Sequence, residues 1–337
     1  MVSLGVALIV YGRYKFLDEA VRSIASQTRS PDEVAVFTDN KEVVRDVLIK
    51  YDVKAEIYQE PYLSLPATYA RIGEVSETEY VLPLEDDDVF KPNKLEAIEK
   101  YCIGYPLIKH AAEFIDEESR PINIADRQPR SQLVITRENA WLQHLSYSYH
   151  IWPSTFAIRT SLLRKYKDIL FKLKLHADFA IFSLALLEGN ILYVPERLTY
   201  YRIGSGHSQL TSCEKLPKLV CTWNKYSYDD FFLYKNINEK HIRKLILRTY
   251  LLHLLRVYIL NNIYDCQFKY NVSYPHLLSI SIKYVVNYFP HLFTDLLKKV
   301  GLVVLLPFLG RTKTSNFYKN RICRELANKV RYRQSKP

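Results

Sequence analysis

Glycine is scarce in this chain, with 9 in 337 residues, against 27 tyrosines and 15 phenylalanines. That balance excludes low-complexity or disordered character, which goes with few aromatics and little apolar area to offset the entropy of ordering. Cysteine is scarce too. Cys102, Cys213, Cys221, Cys266 and Cys323 are scattered, with no C-x-x-C pair. They read as reduced thiols of a cytoplasmic protein, one chance disulfide left open. No apolar run reaches the roughly 20 residues a spanning helix needs. The longest, residues 301–310 (GLVVLLPFLG), contains Pro307. Residues 2–10 lack the basic n-region and the cleavage site of a secretory leader, and read instead as the first strand.

Acidic residues are scarce in one region only. Residues 1–234 hold 28 Lys/Arg and 32 Asp/Glu, a net of −4, whereas residues 235–337 hold 19 and 4, a net of +15. The asymmetry predicts a boundary near residue 235 and an anionic partner for the C-terminal region.

Strand and helix signals alternate through the first hundred residues. Residues 3–10 (SLGVALIV), 33–38 (EVAVFT), 54–58 and 79–84 (EYVLPL) read as strands. Residues 17–26, 41–51, 66–75 and 93–102 read as helices, the first on the spacing of Leu17, Ala20, Val21, Ile24 and Ala25. Alternation of this kind predicts right-handed crossovers and a mostly parallel sheet, with ligands beyond the carboxyl ends of its strands. Asp39 and the run Glu85-Asp86-Asp87-Asp88 both fall at such ends, hence on one edge. Further on, residues 133–136, 155–158 and 191–194 read as strands and 177–187 as a helix. Long helical patterns rich in Leu, Ile, Tyr and basic residues follow residue 240.

Four consecutive carboxylates repel one another, and at the end of a buried strand that repulsion calls for a cation. A divalent ion with oxygen ligands meets the need and would bridge the phosphates of a nucleoside diphosphate. The plain alternative is a solvated acidic turn, with Pro92 opening the next helix. Arg13, Lys41 and Arg45 read as solvated, and Trp152, a candidate platform for an acceptor sugar, reads by default as core packing.

Three blocks resemble family 2 glycosyltransferases. VALIVYGRYKFLDEAVRSIASQTRSPDEVAVFTDN is similar to their opening strand, a helix ending in S-x-x-x-Q-T, and a strand ending in aspartate. LPATYARIGEVSETEYVLPLEDDDVFKPNKL is similar to their Ala-Arg helix, strand and L-D-x-D-D-x-x-x-P-x-x-L signature. HADFAIFSLALLEGNILYVPERLTYYRIGSGHSQ is similar to their third block. The three stand in the family's order and cover about residues 3–210.

The resemblance implies an α/β fold of GT-A type, a mostly parallel central sheet flanked by helices, as a catalytic domain over residues 1–234. A helical, basic extension over 235–337 would follow it. It implies a hexosyltransferase-like enzyme that transfers a sugar from a nucleoside diphosphate sugar with inversion, assisted by Mg2+ or Mn2+. Val10, Tyr11, Asp39, Arg71, Asp86 and Arg202 would surround the nucleotide, with Asp39 taking the base. Asp87 would be the principal metal ligand, joined by Glu85 and His207, the latter on a Gly204/Gly206 lid. Asp178 would deprotonate the acceptor hydroxyl.

There are departures. Glu85 stands where the family has Asp, and Ala177-Asp178 where it has Glu-Asp. Its Tyr-Arg-x-His is Tyr201-Arg202 with the histidine displaced to His207.

In the basic region, residues 241–262 and 275–299 combine apolar circumference with Lys and Arg. They fit an anionic membrane surface, on the inner face of a cytoplasmic membrane, as well as a plain helical subdomain. A glycan or lipid-linked acceptor would suit that setting, and no motif points to specific nucleic-acid binding. Two other functions stay open at this level: a nucleotidyltransferase, disfavoured because only Gly12 follows the first strand, and a non-catalytic membrane-associated nucleotide-sugar-binding protein.

Overall fold

A computed structural model describes residues 2–123, 128–141, 152–203, 213–260, 264, 266–288, 316, 317, 319, 320, 322 and 323. The chain divides into two compact units, residues 1–206 and 207–337.

In the first unit, β1 (Leu4–Val10), α1 (Leu17–Ala25), β2 (Glu33–Thr38), α2 (Lys41–Lys50) and β3 (Glu56–Gln59) come first. Next are α3 (Leu65–Val75), β4 (Tyr80–Glu85), β5 (Val89–Phe90), α4 (Lys94–Glu99) and β6 (Leu107–Ile115). Then follow β7 (Leu133–Ile135), β8 (Phe156–Arg159), α5 (Thr160–Lys165), α6 (Lys167–Leu170), α7 (Ala177–Glu188) and β9 (Ile191–Arg202). The sheet order is β3-β2-β1-β4-β8-β6-β9-β5, with β7 on β9. Pairings among β3, β2, β1 and β4 are parallel, as is β6 with β9. Those of β8 with β4 and β6, and of β9 with β5 and β7, are antiparallel. The α/β fold with helices flanking a sheet is as expected, and the sheet is mixed rather than simply parallel.

The parallel half follows directly from sequence. All seven residues of β1 are buried, as a strand covered on both faces must be. α1 turns Leu17, Ala20, Val21 and Ile24 into the same core. Asn40 caps α2 by accepting from the Val43 amide, which leaves Asp39 to face the β1–α1 loop. Ser64 caps α3 with Pro66 in its first turn. Gly73 lets α3 approach α5, since a Cβ there would stand 2.7 Å from the Arg164 nitrogen.

The registers Val10↔Thr38 and Ile9↔Glu85 bring the ends of β2 and β4 to either side of β1. Asp39 and the acidic run therefore share the carboxyl edge, as the alternation predicted. The S-x-x-x-Q-T element fastens this edge from below. Ser23 Oγ accepts from the Phe90 amide at 3.1 Å, and Gln27 bonds the Lys91 carbonyl and the Leu95 amide at 2.8 and 3.1 Å.

β5 and β6 were not foreseen. β5 has two residues, and β6 (LIKHAAEFI) carries Lys109, His110 and Glu113 inside a strand whose first six residues are all buried.

The second unit holds α8 (Leu216–Asn236), α9 (Lys240–Leu260) and α10 (Tyr274–Tyr288). The division falls well before residue 235, because α8 packs against α9. The apolar circumference of α9 is mostly buried, including Leu245, Leu247, Tyr250, Leu254 and Val257. Among the described residues no helix is long and apolar enough to cross a membrane. The reading of five reduced thiols is corrected: Cys213 pairs with Cys323 and Cys221 with Cys266, leaving Cys102 as a buried thiol. Partners 110 and 45 residues apart are joined by the tertiary fold, which spacing along the chain does not reveal.

Candidate active site

The acidic run is a tight turn between β4 and β5, closed by the Asp88 amide donating to the Glu85 carbonyl at 3.1 Å. Glu85 is partly exposed, whereas Asp86, Asp87 and Asp88 are buried, at 3%, 6% and 1% exposure. Carboxylate oxygens of Glu85, Asp87 and Asp88 lie within 4.8 Å of one another. Asp86 Oδ2 and Asp88 Oδ2 are buried with no hydrogen-bond partner. Such oxygens are costly to bury unless something binds them, and an all-oxygen set of this size suits a hard divalent ion. The residues present therefore fit the implied metal.

The electrostatics agree. Burial, then the neighbouring Asp87 and Asp88, pushes the Glu85 carboxyl well up. Burial followed by Asp87 does the same to Asp88. Asp86 is pushed up to about 7, first by burial, against the pull of Arg13.

The turn is gripped from both sides. On the inner side Arg202, at the end of β9, is wholly buried. Its amide donates to Asp88 Oδ1 (2.9 Å) and its Nε to the Asp87 carbonyl (2.8 Å). Its remaining nitrogens reach the Asp116 carbonyl, Ser119 Oγ and Glu19 Oε2 at 2.8, 2.9 and 3.0 Å. Arg202, expected beside the nucleotide, is thus occupied with shaping the turn. On the outer side Arg13 bonds Asp86 Oδ1 at 2.5 Å and Asp87 Oδ2 at 3.0 Å. The expectation that Arg13 is solvated is corrected, since a loop cation beside four carboxylates is drawn onto them. Lys41 and Arg45 are exposed as expected.

Asp39 is exposed at the end of β2. Its Oδ1 accepts from the Gly12 amide (3.2 Å) and the Tyr14 hydroxyl (2.5 Å). Burial works upward on this carboxyl, but those two donors hold it below the usual range. Val10 is buried at the end of β1, and the Tyr11 ring meets Tyr62 edge-on at 5.4 Å. Burial pushes the Tyr11 hydroxyl up to about 12. Arg71 is engaged by Glu60 (2.9 Å) and Glu74 (2.5 Å).

Asp178 sits in the first turn of α7, its Oδ1 accepting from the Phe179 amide at 2.9 Å. The side chain keeps 20% exposure, with His176 Nε2 at 3.9 Å. Burial raises its carboxyl, against the pull of His176. Asp178 and the acidic turn act on the same neighbours. The buried Tyr69 hydroxyl, which has no hydrogen-bond partner, feels both Glu85 and Asp178. The Lys109 ammonium feels both Asp178 and Asp88. Ala177, where the family has glutamate, is 0% exposed, so a carboxylate there would lie in the core. His207, Gly204 and Gly206 lie outside the described residues.

Two buried lysines were not foreseen. Lys94 donates to the Ser154 carbonyl (2.6 Å) and Thr199 Oγ1 (3.1 Å), and Lys109 donates to Thr155 Oγ1. Burial lowers both ammonium groups well below their usual range, with Asp88 acting in the opposite direction on each. Trp152 packs edge-on to Phe114 at 5.0 Å, with the Lys109 ammonium 5.1 Å from its ring. Trp152 is thus packed on one side yet partly exposed, not buried in the core as expected of it by default.

Comparison with known proteins bears on this geometry. Residues 6–183 match "Glycosyl transferase family 2". An uncharacterized glycosyltransferase of Nostoc sp. is 25% identical over 230 residues, spanning 62% of this chain and 67% of the relative. The fold is similar to that of S. aureus TarS 1-349 in complex with UDP-GlcNAc. The TM-score is 0.57 at 17% identity, covering 94% of this chain and 89% of that one. A longer TarS chain matches at TM-score 0.55 and 15% identity over 93% of this chain, which spans only 54% of it. With the family matched over more than half its length, the chain belongs to glycosyl transferase family 2 and is a glycosyltransferase of the GT-A-like fold.

Proposed function

We propose that the chain transfers a sugar from a nucleoside diphosphate sugar to an acceptor hydroxyl with inversion, assisted by Mg2+ or Mn2+. The observation that carries this reading is the pair of buried, unpartnered oxygens on Asp86 and Asp88 beside the clustered oxygens of Glu85 and Asp87. Asp87, with Glu85 and Asp88, would hold the ion, which would offset the charge of the leaving diphosphate. His207 is a candidate ligand on sequence alone. Asp39 would receive the base once Tyr14 gives up its bond. Val10 and Tyr11 would floor the nucleotide pocket, and Asp86 would face the ribose or sugar. Arg202 would act indirectly, by fixing the turn.

Asp178 would accept the proton of the acceptor hydroxyl as that oxygen attacks. Its 20% exposure leaves it reachable, and a raised carboxyl is a stronger base. The family match favours sugar transfer over nucleotidyl transfer, and the bound molecule named for TarS makes uridine diphosphate sugars the first donors to try. The acceptor reading remains a glycan or lipid-linked hydroxyl. The net +15 of residues 235–337 supports contact with an anionic membrane surface.

A thermal-shift screen of nucleotide sugars with and without Mn2+ tests this reading. One donor should raise the melting temperature only with the metal, and its transferred sugar should carry the inverted anomeric configuration. Stabilisation that ignores Mn2+, or a retained configuration, contradicts it.

A further inference from the structure

The acidic turn already has a cation on it. Arg13 places one guanidinium nitrogen on Asp86 and another on Asp87, at 2.5 and 3.0 Å. Four cationic side chains of the described residues act on this turn, and they differ in burial. Arg202, Lys94 and Lys109 are exposed by 0%, 0% and 1%. Each bonds carbonyl or hydroxyl groups of the frame, so none can leave without stranding a buried charge. Arg13 keeps 32% of its side chain exposed. It also rides on a loop whose preceding residue, Gly12, takes φ of +65°, a conformation that costs glycine little. The next residue, Tyr14, closes Asp39 in the same way. The loop thus covers with its own donors both carboxylate sites at which the donor substrate would be read.

We infer that Arg13 is an exchangeable counter-ion of the acidic turn: the metal displaces it from Asp86 and Asp87, and its guanidinium then binds the donor's diphosphate. This rests on the metal-diphosphate reading proposed above. A single positive charge shared by two carboxylates gives way to a divalent ion with more oxygen contacts. The displaced guanidinium, repelled by that ion, finds its nearest compensating charge on the incoming phosphates, where a planar fork suits bidentate binding. Linkage follows. Metal alone must compete with Arg13 and binds weakly, while metal and nucleotide together satisfy both cations, so each strengthens the other.

The test is calorimetry on the full chain with Mn2+ alone, UDP alone and UDP at saturating Mn2+, for the wild type, Arg13→Gln and Arg13→Lys. In the wild type, saturating UDP should tighten Mn2+ binding by about tenfold. Arg13→Gln should bind Mn2+ alone about threefold to tenfold more tightly than the wild type, yet bind UDP with Mn2+ about tenfold more weakly. Arg13→Lys, which keeps the charge without the fork, should fall between on both. If Arg13→Gln binds Mn2+ alone no more tightly than the wild type, or keeps full affinity for UDP with Mn2+, the role of Arg13 is overturned while the donor site stands. A wild type that binds neither Mn2+ nor UDP removes the donor site itself, and this role with it.

Discussion

The outer and inner flanks of the acidic turn are closed by the same kind of side chain in opposite settings. Arg13 arrives on the β1–α1 loop with 32% exposure and bonds the Asp86 and Asp87 carboxylates. Arg202 arrives at the end of β9 with none, bonded to two carbonyls, a hydroxyl and a carboxylate. A guanidinium satisfied by fixed frame groups cannot be exchanged, so the inner flank sets the shape of the turn. One that bonds buried carboxylates while staying partly exposed itself can exchange with another cation, and the outer flank sets the occupancy of the turn.

That contrast is broken most directly at Arg202. Arg202→Met leaves the Glu19 carboxylate and the Asp87 and Asp116 carbonyls without their buried partner and should cost about 3–5 kcal/mol in urea denaturation. Arg13→Gln, at a screened and partly exposed pair, should cost under about 1 kcal/mol. Equal losses would erase the distinction between the flanks.

The next effect concerns the far side of the site. Asp178→Asn should lower kcat about 10³-fold while leaving donor affinity unchanged, because the proposed role of the carboxylate is on the acceptor and not on the nucleotide. Retained turnover removes Asp178 as the base. The pH dependence has a definite sign. Burial raises this carboxyl in the folded state, so wild-type kcat/KM should climb as pH rises through a value above the ordinary 3.8. The folded protein keeps this proton to a higher pH than the unfolded chain. The stability it contributes is therefore complete at low pH and lost as pH rises through the folded value. Asp178→Asn should escape that loss and melt progressively higher than the wild type across the same window.

Sequence made the parallel half of the sheet legible because strands buried on both faces are continuous apolar runs and the helices between them are amphipathic. The acidic turn was legible for a related reason: four adjacent carboxylates after such a strand have few physical explanations. β6 was missed because Lys109, His110 and Glu113 break its apolar run. The burial of Lys109 and His110 is made tolerable by Thr155 and the Ala111 carbonyl, and the half-buried Glu113 is paired with Lys91. β5 is too short to have a period. Arg13 looked solvated because a lone loop cation carries no periodicity, and its partners are 73 and 74 residues away. Arg202 was recognised as part of a motif, but its burial and its bonds to the turn show only in the fold. The disulfides and the division at residue 206 depend on how α8, α9 and α10 pack, which composition does not record.

The central claim is that the acidic turn holds the metal on which the donor's diphosphate rests. Calorimetric titration of UDP into the wild type and Asp87→Asn, each with and without Mn2+, tests it most directly. The wild type should bind UDP about tenfold more tightly with Mn2+, the reciprocal of the effect of UDP on Mn2+, and Asp87→Asn should lose that gain while keeping its fold. An Asp87→Asn protein that retains the full Mn2+-dependent gain would contradict the account.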